Sequence, residues 1–196
     1  MRKTLGVLTT SIALVGGLSG GTAAADDTAV VVQPDRAHDV QIKKPGTKSE
    51  KAPRFIKQSV DIKQVRYRVN RTTNRLRITT KARNVLQANR RRDQRFLTYF
   101  SDSDRYSFAW VQSTNHGPVE VWNYDRGGTY KVPCPRAEVK LLPGKRKERV
   151  VQSIPLNCIQ LTKRIYAKSR ATVVPFNPKR FVSRDYTRET DLIKVG

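Results

Sequence analysis

From Gln64 to Arg83 the side chains alternate in character with a period of two. Val65, Tyr67 and Val69 are separated by Gln64, Arg66 and Arg68, and beyond the polar run Asn70 to Asn74 the residues Leu76, Ile78, Thr80 and Ala82 alternate with Arg75, Arg77, Thr79, Lys81 and Arg83. Extended chain sends successive side chains to opposite faces, whereas a helix would scatter both sets around its axis. Two such runs joined by a short polar loop predict a β-hairpin. One face is apolar and needs a second layer to cover it; the other is cationic.

The pattern continues at intervals of 8 to 15 residues. Phe96 to Phe100, Tyr106 to Gln112, Val119 to Tyr124, Thr129 to Val132, Ala137 to Leu142, Arg149 to Ile154 and Ile165 to Val173 all read as strands, with turn signals such as Gly127-Gly128 and Pro143-Gly144 between them. Short strands at this spacing predict an all-β domain over residues 61–173, an antiparallel β-sandwich with a β-barrel as the alternative. Only short helical turns are expected, at Asn84 to Asn89 and Asn157 to Thr162. A hydrophobic content of 37% in 196 residues suffices for one modest core. Residues 26–60, with Pro34, Pro45 and Pro53, read as a flexible linker, and 174–196 as a C-terminal tail packed on the surface or frayed.

Residues 1–25 carry Arg2 and Lys3, an uncharged apolar run from Leu5 to Leu18 and a closing Ala23-Ala24-Ala25, which is the layout of a secretory signal peptide. The apolar run is about 14 residues against the roughly 20 a helix needs to span a bilayer. A secreted, extracellular protein cleaved after Ala25, with no transmembrane segment afterwards, is therefore expected. In an oxidising compartment the two cysteines, Cys134 and Cys158, are expected to form a structural disulfide.

Lys and Arg number 39 against 16 Asp and Glu, a net charge of +23. The segment from Asp61 onward holds 30 basic and 11 acidic residues, so the excess belongs to the folded domain. On the predicted hairpin, Arg66, Arg68, Arg75, Arg77, Lys81 and Arg83 share a face, and Arg164, Lys168 and Arg170 form a second set on the last strand. Like charges directly opposite on a sheet destabilise it, by up to about 1 kcal/mol per pair. Such a ladder is either charge on a solvated face or an anion-binding surface. Lys145-Arg146-Lys147 with Arg149, and Arg90-Arg91-Arg92 with Arg95, read as basic loops.

Large rings concentrate between residues 96 and 130. Alternation puts Tyr106, Phe108 and Trp110 on one face, which is how a sandwich core is filled, and leaves Trp122 and Tyr124 as the exposed pair. For catalysis the chain offers little. His38 and His116 are isolated, the cysteines have no His beside them, and Asp102, Asp104, Glu120 and Asp125 are scattered. No catalytic residue, metal or other cofactor is expected; a carboxylate hydrolase using Asp104 and Glu120 is the weaker alternative.

The opening Asp61-Ile62-Lys63-Gln64-Val65-Arg66 and the closing Ile154-Pro155-Leu156-Asn157-Cys158 followed by a basic strand resemble small secreted β-sandwich proteins of actinobacteria. The resemblance spans residues 61–173 and implies the fold and no site. The expectation is a monomeric secreted domain that binds an anionic polymer by electrostatics: a cell-wall phosphate polymer, an acidic polysaccharide or, non-specifically, a nucleic acid backbone. An acidic protein partner, bound or inhibited, is the alternative.

Overall fold

The alternating segment from Gln64 forms the hairpin its period predicts. In the computed structural model, which describes residues 28–35, 40–43, 58–85, 92–102, 107–114, 117–142, 149–160, 164–175, 182–191 and 193–194, the chain contributes β1 (Thr28–Pro34), β2 (Gln41–Lys43), β3 (Ile62–Asn70) and β4 (Arg75–Ala82). There follow β5 (Arg92–Asp102), β6 (Phe108–Thr114), β7 (Glu120–Asp125), β8 (Gly128–Val132) and β9 (Glu138–Leu142). The last four are β10 (Arg149–Pro155), β11 (Arg164–Pro175), β12 (Val182–Tyr186) and β13 (Ile193–Lys194). Residues 1–25, the Lys145–Lys147 tip, Arg90, Arg91, Asp104, Tyr106, His38 and His116 lie outside the described residues.

β3 and β4 pair antiparallel from Asn70↔Arg75 to Ile62↔Ala82, with one register shift between Ile62 and Gln64. Their turn is closed by Asn70, whose Oδ1 accepts bonds from the Thr73 backbone N–H (2.7 Å) and hydroxyl (2.9 Å). Asn74 sits at φ 51°, a left-handed conformation that Asn tolerates better than most residues.

The strands form two antiparallel sheets that do not close on each other, so the sandwich is the architecture and the barrel alternative is set aside. The first runs β1-β3-β4-β10-β9; the second runs β2-β12-β11-β5-β6-β7-β8, with β13 also on β11. Between them lie Val65, Val69, Leu76, Ile78 and Ile154 of the first sheet against Phe96, Phe100, Val111, Ile165 and Val173 of the second, all buried. A polar knot crosses this core. Tyr67 Oη on β3 is 2.8 Å from Ser169 Oγ on β11, which is 2.8 Å from Thr98 Oγ1 on β5. Burial pushes the Tyr67 phenol up to about 12, against the opposing hydrogen bonds to Ser169 and Thr187.

Cys134 and Cys158 form the expected disulfide, with Cα atoms 5.9 Å apart. It ties the segment after β8, in one sheet, to the short 3₁₀ turn Leu156–Cys158 that follows β10 in the other. The other expected helical position is not helical where described, at Asn84 and Val85; residues 58–60 are helical instead.

Two boundaries differ from the sequence reading. β1 lies within the segment read as linker, yet all seven of its residues pair with β3, from Thr28↔Asn70 to Pro34↔Gln64. β12 and β13 lie within the segment read as tail, yet both pair with β11. Ile193 is fully buried, and Asp185 Oδ2 accepts the Ile62 backbone N–H at 2.8 Å. These short strands complete the hydrogen bonding of β3 and β11, whose edges would otherwise be open.

Candidate anion-binding face

The polar set of the hairpin does face outward, on the side of the first sheet away from the core. Arg66, Arg68, Arg77 and Lys81 are exposed there, while Val65, Tyr67, Leu76 and Ile78 are buried behind them. Register makes the crowding specific. Arg68 lies opposite Arg77, and Lys81 lies opposite Arg149 of β10. These two like-charge pairs border a groove of about 370 Å³ that Arg66, Gln64 and Thr79 complete. Val32, 47% exposed, forms its apolar wall from β1 and is paired with Arg66. Among the described residues no carboxylate lines the groove and its five cations form no ion pair. The Nε of Arg149 is covered and donates to no described acceptor.

Two members of the predicted ladder do different work. Arg75 is on the same face, but its Nε donates to Ser153 Oγ at 2.8 Å and its Nη2 donates to the Arg136 carbonyl at 2.9 Å. That guanidinium latches β4 to β10 and to the segment before β9. Arg83 falls just beyond β4, where its Nε meets the buried Asp61 carboxylate at 2.9 Å. It lies past the last residue of β4, beyond the register shift between Ile62 and Gln64. Arg149, which belongs to the basic Lys145–Arg149 cluster and also opens the expected strand to Ile154, is the first residue of β10 and completes the groove because β10 pairs with β4. The signal for it was present in the even spacing of Arg149, Val151 and Ser153, but which strand lay beside β4 was not.

Arg164, Lys168 and Arg170 belong to the other sheet, so the two predicted sets are on different faces of the sandwich. Arg170 and Arg184 donate to Tyr186 Oη at 3.4 and 3.2 Å. Burial works upward on that phenol, but the two guanidinium bonds outweigh it and hold its pKa below the usual value. Phe108 (41% exposed) and half-buried Trp110 face outward here too, correcting the expectation that their face fills the core. The inward residues of β6 are Ala109, Val111 and Ser113, small side chains that leave room for Phe96 and Phe100. Tyr124 is 41% exposed, as expected, and Trp122 is half-buried.

Glu120 is held by Lys131, Oε1 to Nζ 2.6 Å, and that hydrogen bond keeps its carboxyl below the ordinary range. Among the described residues, no group of three His, Cys, Asp or Glu side chains gathers as metal ligands would. No described helix is long and apolar enough to cross a membrane. No family model, curated protein or solved structure matches the chain.

Proposed function

We infer that the protein is a secreted, non-catalytic domain that binds an anionic polymer across the outer face of its first sheet. The observation carrying this reading is the pairing of Arg68 with Arg77 and of Lys81 with Arg149 in a groove whose described lining holds no carboxylate. Repulsion across directly opposed cations is relieved when phosphate or carboxylate groups sit between them, and Arg forks bind such groups bidentately. Cell-wall phosphate polymers, acidic polysaccharides and nucleic acid backbones all present the required row of charges. Export is supported by the signal-like residues 1–25 and by the disulfide.

The test is binding of inorganic polyphosphate and heparin to the purified protein over a salt series. Counterion release predicts that log affinity falls linearly with log salt. Replacing Arg66, Arg68, Arg77 and Lys81 together by Gln should weaken both ligands at least tenfold and flatten the salt slope. Unchanged affinity would reject this face as the site. Indifference to both polymers, with one stoichiometric acidic protein captured, would favour the partner-binding alternative.

A further inference from the structure

The outer face of the second sheet carries a different chemistry. Register sets Lys168, Tyr99, Trp110, Trp122 and Lys131 in one row across β11, β5, β6, β7 and β8. A second row places Phe108 opposite Tyr124. At about 4.8 Å per strand the first row extends roughly 19 Å. Trp110 and Trp122 stack with centroids 6.0 Å apart and planes 7° apart, and Phe108 and Tyr124 are also 6.0 Å apart.

Cations are interleaved with these rings. The Arg170 guanidinium lies 5.5 Å from the Tyr99 ring and 5.7 Å from the Tyr186 ring, Lys168 lies 5.6 Å from Tyr186, and Lys131 lies 5.9 Å from Trp122. Tyr99, Phe108 and Tyr124 remain 37–41% exposed. Rings already packed against one another and against guanidinium groups are held in place before any ligand arrives, which lowers the entropic cost of binding.

We propose that this face is a stacking platform for single-stranded nucleic acid, separate from the arginine groove on the opposite sheet. The ligand class follows from the donor and acceptor inventory. Arg, Lys and Trp offer donors and no acceptors, and of the two carboxylates of β7, Glu120 is occupied by Lys131 and Asp125 Oδ1 accepts the Gly127 backbone N–H. A neutral sugar chain would find acceptors in Tyr99, Tyr124 and Gln112 but would leave the cations of this face unmatched. A single strand presents phosphate acceptors and bare base faces, which match the cations and the rings respectively.

Trp110 and Trp122 are the only tryptophans in the chain, so tryptophan emission, excited where tyrosine does not absorb, reports on this face. The full protein is titrated with a dT12 oligonucleotide, inorganic polyphosphate of equal charge, a duplex of the same length and heparin. Saturable quenching by dT12, with little or none from polyphosphate or duplex, is the expected result. Tyr99→Ala should weaken dT12 about tenfold, the size of one lost stacking contact, and leave polyphosphate affinity unchanged. Lys168→Gln, at an exposed position, gives a second variant and should weaken dT12 with a shallower salt slope. The Arg66, Arg68, Arg77 and Lys81 to Gln variant should still be quenched by dT12, so the two faces succeed or fail independently. Absence of quenching, equal quenching by polyphosphate or duplex, or stronger quenching by heparin would overturn the proposal, the last in favour of an acidic glycan.

Discussion

Three arginines that look alike in the sequence have three different surroundings, and single substitutions should separate them. Arg77 faces Arg68 across the hairpin. Arg77→Gln removes a repulsive pair and should raise stability by a few tenths to about 1 kcal/mol. Arg75→Gln should act in the opposite direction, lowering stability by about 1–2 kcal/mol, because Ser153 and the Arg136 carbonyl lose their donor. Polymer affinity should fall for Arg77→Gln and hold for Arg75→Gln. Urea midpoints and a heparin titration on the two variants are enough to check both statements. Arg83 differs again, since its partner Asp61 is buried and paired with it. Sequence period identified all three as outward, but the identity of the neighbouring group depends on strand order and register, which period does not encode.

At the level of elements, the strands with strict alternation were legible and the short or uniform ones were not. β3 and β4 alternate cleanly because one face is buried and the other wet. β1 reads Thr-Ala-Val-Val-Val-Gln-Pro, apolar on both sides of its centre, so no period-2 signal marks it. Its Val30 and Val32 are exposed beside Arg68 and Arg66, where they cover the apolar stems of those side chains. β6 misled in another way. Alternation puts Phe108 and Trp110 on one face and a sandwich core is filled by such a face, whereas this core takes the smaller set, Ala109, Val111 and Ser113, of the same strand. The disulfide was legible from its parity and joins elements of opposite sheets. Replacing both Cys134 and Cys158 by Ser should lower stability by about 3 kcal/mol, because it frees a loop of about 25 residues in the unfolded chain. Thermal unfolding of the variant against the oxidised protein measures this. A loss well below 1 kcal/mol would mean that the bridge constrains little.

Across the whole molecule, the two sheets are held by an apolar core and by the Tyr67–Ser169–Thr98 knot within it. Tyr67 retains its proton to about pH 12 when folded and releases it near 10.0 when unfolded. Between those values the unfolded chain binds fewer protons than the folded one, so stability falls as pH rises. The stabilisation is complete below pH 10 and declines above it, by something on the order of 2–3 kcal/mol at the upper end. Tyr67→Phe should lose about 1 kcal/mol at neutral pH and show a weaker alkaline decline, read from urea midpoints between pH 8 and pH 11. An alkaline decline identical to that of the parent protein would remove Tyr67 from this role.

The strand order also has a kinetic consequence. β4 pairs with β10 and β5 with β11, so each sheet has a central pair joined by some seventy residues of chain. The β3–β4 hairpin and the β5–β6–β7–β8 meander can form locally, but β4 and β5 lack their second neighbours until residues 149–175 are present. Long-range pairing of this kind slows the search for the native state, into the millisecond-to-second range for comparable all-β topologies. Until then the two sheets exist only as separate, locally paired pieces, so the segment carrying β10 and β11 is the one whose arrival lets the sandwich close.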